Sequence, residues 1–167
     1  MRNVQDMKLR EGVEWAVHCC INLSWLAPDR AVPAARLAEF HNLPAAYLNK
    51  QLHALGRAGV VSARSGPRGG FRLGREPEKI TLMDVAVAID GSAQAFLCTG
   101  IRHQGPAGGI AGPAGRRTPC TVAQAFSHAE LAWRHQLASR TIADLADAVR
   151  QANPAAPDHV RSWFDRT

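Results

Sequence analysis

Residues 32–73 read VPAARLAEFHNLPAAYLNKQLHALGRAGVVSARSGPRGGFRL, and the first half of this stretch predicts two short helices. Residues 32–40 form an apolar pattern with Pro33 near the first turn, where proline is well tolerated. Residues 41–44 (His-Asn-Leu-Pro) interrupt that pattern. Residues 45–55 then predict a second helix, whose inward face carries Leu48, Leu52 and Leu55. Two short helices joined by a tight turn indicate a helix-turn-helix.

A β-hairpin is predicted directly after the second helix. Residues 60–64 are β-prone, residues 65–70 (Ser-Gly-Pro-Arg-Gly-Gly) are typical of a turn, and residues 71–73 alternate again. A hairpin with an arginine at its tip, placed after a helix-turn-helix, is typical of the wing of a winged helix. The predicted fold class is therefore mainly α with a small β-hairpin wing, a winged helix-turn-helix domain followed by a long dimerisation helix.

The net positive charge of the chain is concentrated in this same region. The formal charge is +6, yet the 36 residues from 40 to 75 contain no aspartate or glutamate. The remaining 14 basic residues are balanced by 14 acidic ones. This distribution favours double-stranded DNA as a partner, with a solvated basic face as the alternative. The basic residues inside the acid-free region are Lys50, Arg57, Arg64, Arg68, Arg72 and Arg75.

The second helix and the wing supply the candidate DNA-binding side chains. Lys50 and Arg57 are expected to meet mostly phosphates, whereas Arg64 and Arg68 are expected to enter a minor groove. The outward face of the second helix carries Tyr47, Asn49, Lys50 and His53.

The other segments predict further helices. Residues 9–26 and 81–89 each fit a helix, and residues 121–152 show one helical pattern of about 30 residues. A helix this long cannot bury its apolar seam against so small a domain, so we expect a homodimer; packing against the first helix is the alternative. The seam consists of Val122, Phe126, Ala129, Trp133 and Leu137, continued by Leu145, Ala148 and Val149.

This organisation divides the chain into four parts. We expect a winged helix-turn-helix DNA-binding domain over 8–92, a loop that carries two cysteines over 93–120, a dimerisation helix over 121–153 and a C-terminal tail over 154–167. The tail is expected to form one or two helical turns around Trp163 and Phe164.

The stretch FLCTGIRHQGPAGGIAGPAGRRTPC (residues 96–120) has neither a helical nor a strand period and carries Cys98 and Cys120. Loops this long are usually functional or disordered, and two thiols suggest a metal or redox site. A tetrahedral zinc site needs four ligands and a [2Fe–2S] cluster needs two for each iron, so two thiolates are not enough. Glu14 and His18, four residues apart on one helical face, are the other natural donors, with a surface hydrogen bond as the alternative.

Cys19 and Cys20 are interpreted as packing thiols. At 100° per residue both point at least about 100° away from Glu14, so they are poorly placed to share a metal ion with it.

Several classes of protein are not supported by the sequence. The chain has no run of 18 apolar residues and its first residues lack the apolar core of a signal peptide, so we expect a soluble cytoplasmic protein without a membrane partner. No nucleophile with an adjacent base, phosphate-binding loop or paired acids is evident, so we expect no enzyme activity.

The order of these elements resembles the iron–sulfur winged-helix transcription regulators of the IscR/NsrR family. The matching motifs are LPAAYL (residues 43–48), AGVV (58–61) and GPRGGF (66–71). The run GVEWAVHCC (residues 12–20) is similar to the first helix of a redox-sensing member of that family. The resemblance covers nearly the whole chain.

The resemblance implies a dimeric repressor that holds a [2Fe–2S] cluster between its protomers. Carried over to this chain, the ligands are Glu14 and His18 of one protomer with Cys98 and Cys120 of the other. Trp15 becomes a candidate redox relay, with ordinary interface packing as the alternative.

The chain also departs from the family pattern. It has two loop cysteines where relatives commonly have three, and Ala123 stands where a Cys-x-x-His motif has its histidine. A cluster held by the loop alone is therefore excluded, and a thiol switch or zinc site at the loop is the alternative function.

Overall fold

The computed structural model of the protein describes residues 9, 11–109 and 119–166. These ranges contain seven α-helices, one two-stranded antiparallel sheet and three short 3₁₀ helices. The elements are α1 (Glu11–Ser24), α2 (Ala34–Phe40), α3 (Ala45–Arg57), β1 (Val61–Arg64), β2 (Gly70–Leu73), α4 (Leu82–Asp90), α5 (Thr121–Ala138), α6 (Ile142–Ala152) and α7 (Ala156–Asp165), with 3₁₀ helices at Pro77–Lys79, Ile101–His103 and Gly105–Gly109.

The chain divides into two compact units. The larger unit contains Leu9–Gly91 and the residues from Leu137 onward, whereas the smaller unit contains Ser92–Gln136. No helix in the described ranges combines the length and the apolar character that crossing a bilayer requires.

The helix-turn-helix of the larger unit is built on the apolar face of α3. Leu48, Leu52 and Leu55 are fully buried, as their spacing predicts. Burial of each such leucine contributes about 1.5–3 kcal/mol. The turn between α2 and α3 contains Asn42 at a φ of 53°, a left-handed conformation that asparagine adopts more readily than most residues. The predicted helix-turn-helix is confirmed.

The wing is fixed to Val32, which lies two residues before α2. β1 and β2 pair in the register Val61↔Leu73 and Ala63↔Phe71, which confirms the predicted hairpin. The backbone N–H of Phe71 donates to the carbonyl of Val32, and the N–H of Val32 donates back, both at 2.8 Å. Gly70 permits this close approach, because a Cβ atom there would lie 2.2 Å from the carbonyl carbon of Val32.

The expected single helix over 121–152 is wrong, because the structure has two helices there. A capping box begins α6: the Thr141 N–H donates to Asp144 Oδ2 at 2.8 Å and the Asp144 N–H donates to Thr141 Oγ1 at 3.1 Å. The break is also held by the Leu82 N–H, which donates to the carbonyl of Arg140 at 2.9 Å. These bonds stabilise a non-helical backbone where the apolar pattern alone predicts a continuous helix.

The two halves of that predicted helix lie in different units. The half that forms α6 packs on α1 with Ile142 and Ala146 buried, so the alternative of packing against the first helix holds for this part. The dimerisation role assigned to residues 121–153 stays a prediction. The helix in the C-terminal tail is longer than the one or two turns expected: α7 has ten residues and buries Val160 and Phe164.

Replacing Thr141 by alanine should lower the free energy of unfolding by about 1 kcal/mol, because the substitution removes the side-chain acceptor of the α6 capping box. Thr141→Ser is the matched control and should retain most of the stability. Urea unfolding followed by circular dichroism measures both, and an unchanged midpoint in Thr141→Ala would contradict the role assigned to this cap.

Candidate functional site

The candidate DNA-binding side chains are exposed on α3 and on the wing of the larger unit. The buried leucines fix the rotation of α3, so the opposite face of this helix points to solvent. Tyr47 is 39% exposed on that face. The other five predicted residues, Asn49, Lys50, His53, Arg64 and Arg68, are also exposed.

Most of the basic side chains in the acid-free region are available to a polyanion. Within the described ranges, neither Lys50 nor the arginines at 57, 64 and 68 form an ion pair with a carboxylate. Two others are engaged in the fold. Arg72 donates to Ser62 Oγ at 3.2 Å, and Arg75 lies 3.6 Å from the carboxylate of Asp84.

His53 also joins α3 to the wing. Its ring lies edge-on to that of Phe71, with the centroids 5.5 Å apart. Because Phe71 belongs to β2, this contact sets the position of the wing relative to the exposed face of α3.

Glu14 and His18 lie one turn apart on α1, and both side chains are exposed. They line a groove of about 360 Å³ whose remaining walls are mostly aliphatic, including Val17, Leu82 and Leu145. The groove places a carboxylate and an imidazole side by side at the surface of the larger unit, as their i,i+4 spacing predicts.

Cys19 and Cys20 are fully buried on the opposite side of α1. Burial raises the pKa of Cys19 to about 12. Burial, and then the neighbouring Cys19, raise the pKa of Cys20 further. Both stay protonated at neutral pH and act as small apolar residues, so the interpretation as packing thiols is confirmed.

Trp15, between the two candidate ligands, is half-buried against α3. Its ring lies edge-on to Tyr47, with the centroids 5.2 Å apart and the planes at 80°. The candidate relay therefore contacts the first turn of the helix that carries the candidate DNA-binding residues.

His41 is a site residue that sequence reasoning missed. It ends α2 inside the helix-turn-helix turn, with its ring centroid 5.9 Å from that of His18. Its Nε2 lies 2.6 Å from Nδ2 of Asn22. Burial, and then the nearby His18, lower the pKa of His41. In the sequence, His41 appears only as part of a helix-breaking turn, so no pattern connects it with His18.

The two loop thiols meet in the smaller unit. Cys98 is exposed and Cys120 is half-buried immediately before α5. A hydrogen bond from the Ala123 N–H lowers the pKa of Cys120. Partial desolvation raises this pKa, whereas the Val122 N–H, Arg102 and the Cys98 thiol lower it further. First-turn N–H groups of a helix favour an anion, so Cys120 is held toward the thiolate, the form that binds metals.

The start of the loop is anchored to α5. The rings of Phe96 and Phe126 stack with their centroids 4.4 Å apart. Arg134 donates to the carbonyls of Ser92 and Ala93, each at 3.2 Å, and also pairs with Glu130. These contacts limit the positions that Cys98 can take relative to Cys120. Residues 110–118 of the loop over 93–120, which is predicted to bind the cluster, lie outside the described residues.

The candidate metal ligands form two separate pairs. Glu14 and His18 belong to the larger unit, while Cys98 and Cys120 belong to the smaller one. In the part of the chain that the structure describes, no group of three or more histidine, cysteine, aspartate or glutamate side chains is close enough to hold a metal ion.

Comparison with protein families gives one match. The model of a family described as "Rrf2: Iron-dependent Transcriptional regulator" matches residues 9–148. The chain is 30% identical over 141 residues to the HTH-type transcriptional regulator YffB of Lactococcus lactis subsp. lactis, covering 84% of this chain and 88% of that protein. It is 34% identical over 94 residues to the HTH-type transcriptional regulator IscR of Aliivibrio salmonicida, covering 56% of each.

A third relative is an HTH-type transcriptional regulator of Aquifex aeolicus, 36% identical over 89 residues. That match covers 52% of this chain and 62% of the Aquifex protein. The chain therefore spans less than two-thirds of the length of the Aquifex and Aliivibrio relatives.

Solved structures share the fold. T. potens IscR superposes with a TM-score of 0.65 at 21% identity, over 89% of this chain and 92% of that one. CymR (YrzC), described as the global cysteine regulator of B. subtilis, superposes with a TM-score of 0.62 at 23% identity, over 85% of this chain and 98% of that one. The oxidized form of Staphylococcus aureus CymR superposes with a TM-score of 0.61 at 21% identity, over 84% of this chain and 96% of that one. These likenesses confirm the winged-helix fold class.

In reduced, metal-free protein, the alkylation rate of Cys120 should reach half its maximum at a lower pH than that of free cysteine, because the lowered pKa leaves more thiolate near neutrality. Ala123→Pro removes the N–H donor with the largest effect, at a position where proline is tolerated, and should move the midpoint back upward. Ala123→Gly keeps the N–H and is the control. Iodoacetamide labelling read by peptide mass spectrometry measures the effect; identical midpoints in the two variants would contradict it.

Proposed function

Because the chain belongs to the Rrf2 family of transcriptional regulators, we propose that it is a homodimeric, redox-sensing repressor that responds to a [2Fe–2S] cluster held between protomers. Members of this family are regulators rather than enzymes, which confirms the expectation of no enzyme activity. The observation that carries the cluster proposal is the meeting of the Cys98 and Cys120 thiols, with Cys120 held toward its thiolate at the start of α5.

The donors present fit such a cluster. Two thiolates, a carboxylate and an imidazole would together supply the four ligands that a [2Fe–2S] cluster needs. In the proposed arrangement, Glu14 and His18 of one protomer bind together with Cys98 and Cys120 of the second. When bound, the cluster would supply a reversible one-electron couple, whose potential is raised by imidazole ligation as in Rieske centres.

The proposed dimer uses the apolar side of α5. Val122 is 58% exposed and Phe126 is 46% exposed, and their i,i+4 spacing puts them on one face. None of the described α5 side chains is buried. Large exposed apolar side chains on one face are typical of an interface, and a second copy of α5 is the partner that we propose.

Two ring contacts support a coupling between the cluster ligands and the DNA-binding surface. Trp15 contacts Tyr47 on α3, and His18 faces His41 in the helix-turn-helix turn. A change in the charge or position of His18 would act on His41, and a shift of Trp15 would act on Tyr47. We propose that these contacts bias the orientation of α3, with Trp15 as the relay.

A thiol switch is the second candidate function. The contact between the Cys98 and Cys120 side chains favours it, because an oxidant could join two thiols that already meet. The likeness to CymR, described in one structure as a cysteine regulator and in another as oxidized, points the same way. A zinc site at the same thiols is a further form of this alternative. Iron, sulfide and zinc content distinguish these possibilities.

Protein purified without oxygen should show visible absorption bands with two irons and two sulfides per cluster. His18→Ala and Cys98→Ala should each abolish the bands, because each removes one of four required ligands. His135→Ala changes an exposed histidine of α5 outside the proposed ligand set and should leave them intact. Colourless wild-type protein without iron or sulfide would refute the cluster.

The salt dependence of binding to a short duplex of random sequence tests the DNA-binding surface. Lys50→Ala and Arg68→Ala should each reduce the slope of log affinity against log salt by about 1, because each removes one positive charge that would release counterions from the DNA. Arg150→Ala is the control, since Arg150 pairs with Asp147 on α6. Unchanged slopes in the Lys50 and Arg68 variants, measured by fluorescence anisotropy, would favour a winged-helix adaptor that binds protein instead.

A further inference from the structure

The C-terminal helix α7 lies beyond residue 148, where the match to the family model ends. It nevertheless packs within the larger unit, where Val160 is 3% exposed and Phe164 is 7% exposed. A helix with two side chains this well buried must pack against other elements of the unit. Besides α6 and the segment between α1 and α2, it contacts α2, the first helix of the helix-turn-helix.

An aromatic cluster joins α7 to the end of α2. The ring centroid of Phe40 lies 5.0 Å from that of Trp163, 5.3 Å from that of Phe164 and 6.1 Å from that of His159. Such ring pairs contribute about 0.5–1.5 kcal/mol beyond their apolar area. Phe40 precedes His41, so the cluster borders the turn that leads into α3.

Two arginines, one in α2 and one between α1 and α2, cap the C-terminal end of α7. The Arg36 guanidinium lies 4.0 Å from the ring centroid of Trp163 and donates to the carbonyls of Arg166 at 2.9 Å and Trp163 at 3.4 Å. Arg30 donates to the carbonyl of Phe164 and to the carboxylate of Asp165. Cations at the carbonyl end of a helix satisfy its unpaired acceptors and complement its dipole.

α2 depends on contacts of this kind because it is weak on its own. It has seven residues, and Pro33 at its start forms no side-chain cap. Isolated helices of this length are not stable in water, so tertiary packing decides where α2 lies. Its inner face is held by Leu37 and Ala38 in the core, and α7 supplies contacts on the side that carries Arg36 and Phe40.

We propose that α7 is a positioning element for DNA binding, with Trp163 and Arg36 as the residues that hold α2 in place. Through the short turn that follows, α2 fixes the start of α3 and therefore how its exposed side chains meet the duplex. This inference rests on the DNA binding of the proposed regulator and is independent of the cluster.

Trp163→Ala tests the proposal, with Trp163→Phe as the conservative variant and Ser162→Ala as the control on the same helix. Affinity for a short fluorescent duplex of random sequence is measured at a temperature where circular dichroism shows each variant folded. Trp163→Ala should bind about tenfold more weakly, which corresponds to about 1.4 kcal/mol. Trp163→Phe should recover most of the affinity, and Ser162→Ala should match the wild type.

Arg36→Gln is the second variant, in case Trp163→Ala does not fold. It removes the stacked cation but leaves the aromatic cluster, and should also weaken duplex binding. A folded Trp163→Ala or Arg36→Gln protein that binds as tightly as the wild type would overturn the inference while leaving DNA binding intact. A wild-type protein that does not bind the duplex would overturn both the inference and the proposed function.

Discussion

The close packing of α1 against α3 is the contact on which the arrangement of the candidate site depends. Gly12 allows it, because a Cβ atom at this position would lie 3.0 Å from Cδ of the buried Gln51. With the apolar face of α1 directed inward, helical geometry places Glu14 and His18 at the surface and Trp15 against Tyr47. One helix thus carries two candidate ligands and contacts the DNA-binding helix directly.

The winged helix could be predicted from local signals. The leucine spacing of α3 and the Gly-Pro-Arg-Gly-Gly turn are each sufficient to indicate the element that forms. The break at Thr141 was missed because the apolar pattern continues through it, although the same Thr-x-x-Asp capping box begins α4 at Thr81. The extent of α7 was also missed, since it is stabilised by Arg30 and Arg36, more than a hundred residues away in sequence.

The sequence supplies candidate donors for the site but says nothing of their environment. The shortage of ligands in the loop pointed to Glu14 and His18, and the structure places each pair of donors together in its own unit. Sequence patterns do not report that backbone N–H groups of Val122 and Ala123 lower the pKa of Cys120. Nor do they report that His41 faces His18, because such contacts arise only when distant segments pack.

In the proposed regulator, one cluster takes ligands from two protomers. The most direct measurement is the iron and sulfide content of a heterodimer, purified without oxygen from co-expressed, differently tagged chains, one with His18→Ala and the other with Cys98→Ala. A shared site predicts that one of the two sites is restored, with half the iron and absorbance of the wild type, although neither homodimer binds a cluster. A colourless heterodimer would contradict a cluster site shared between protomers.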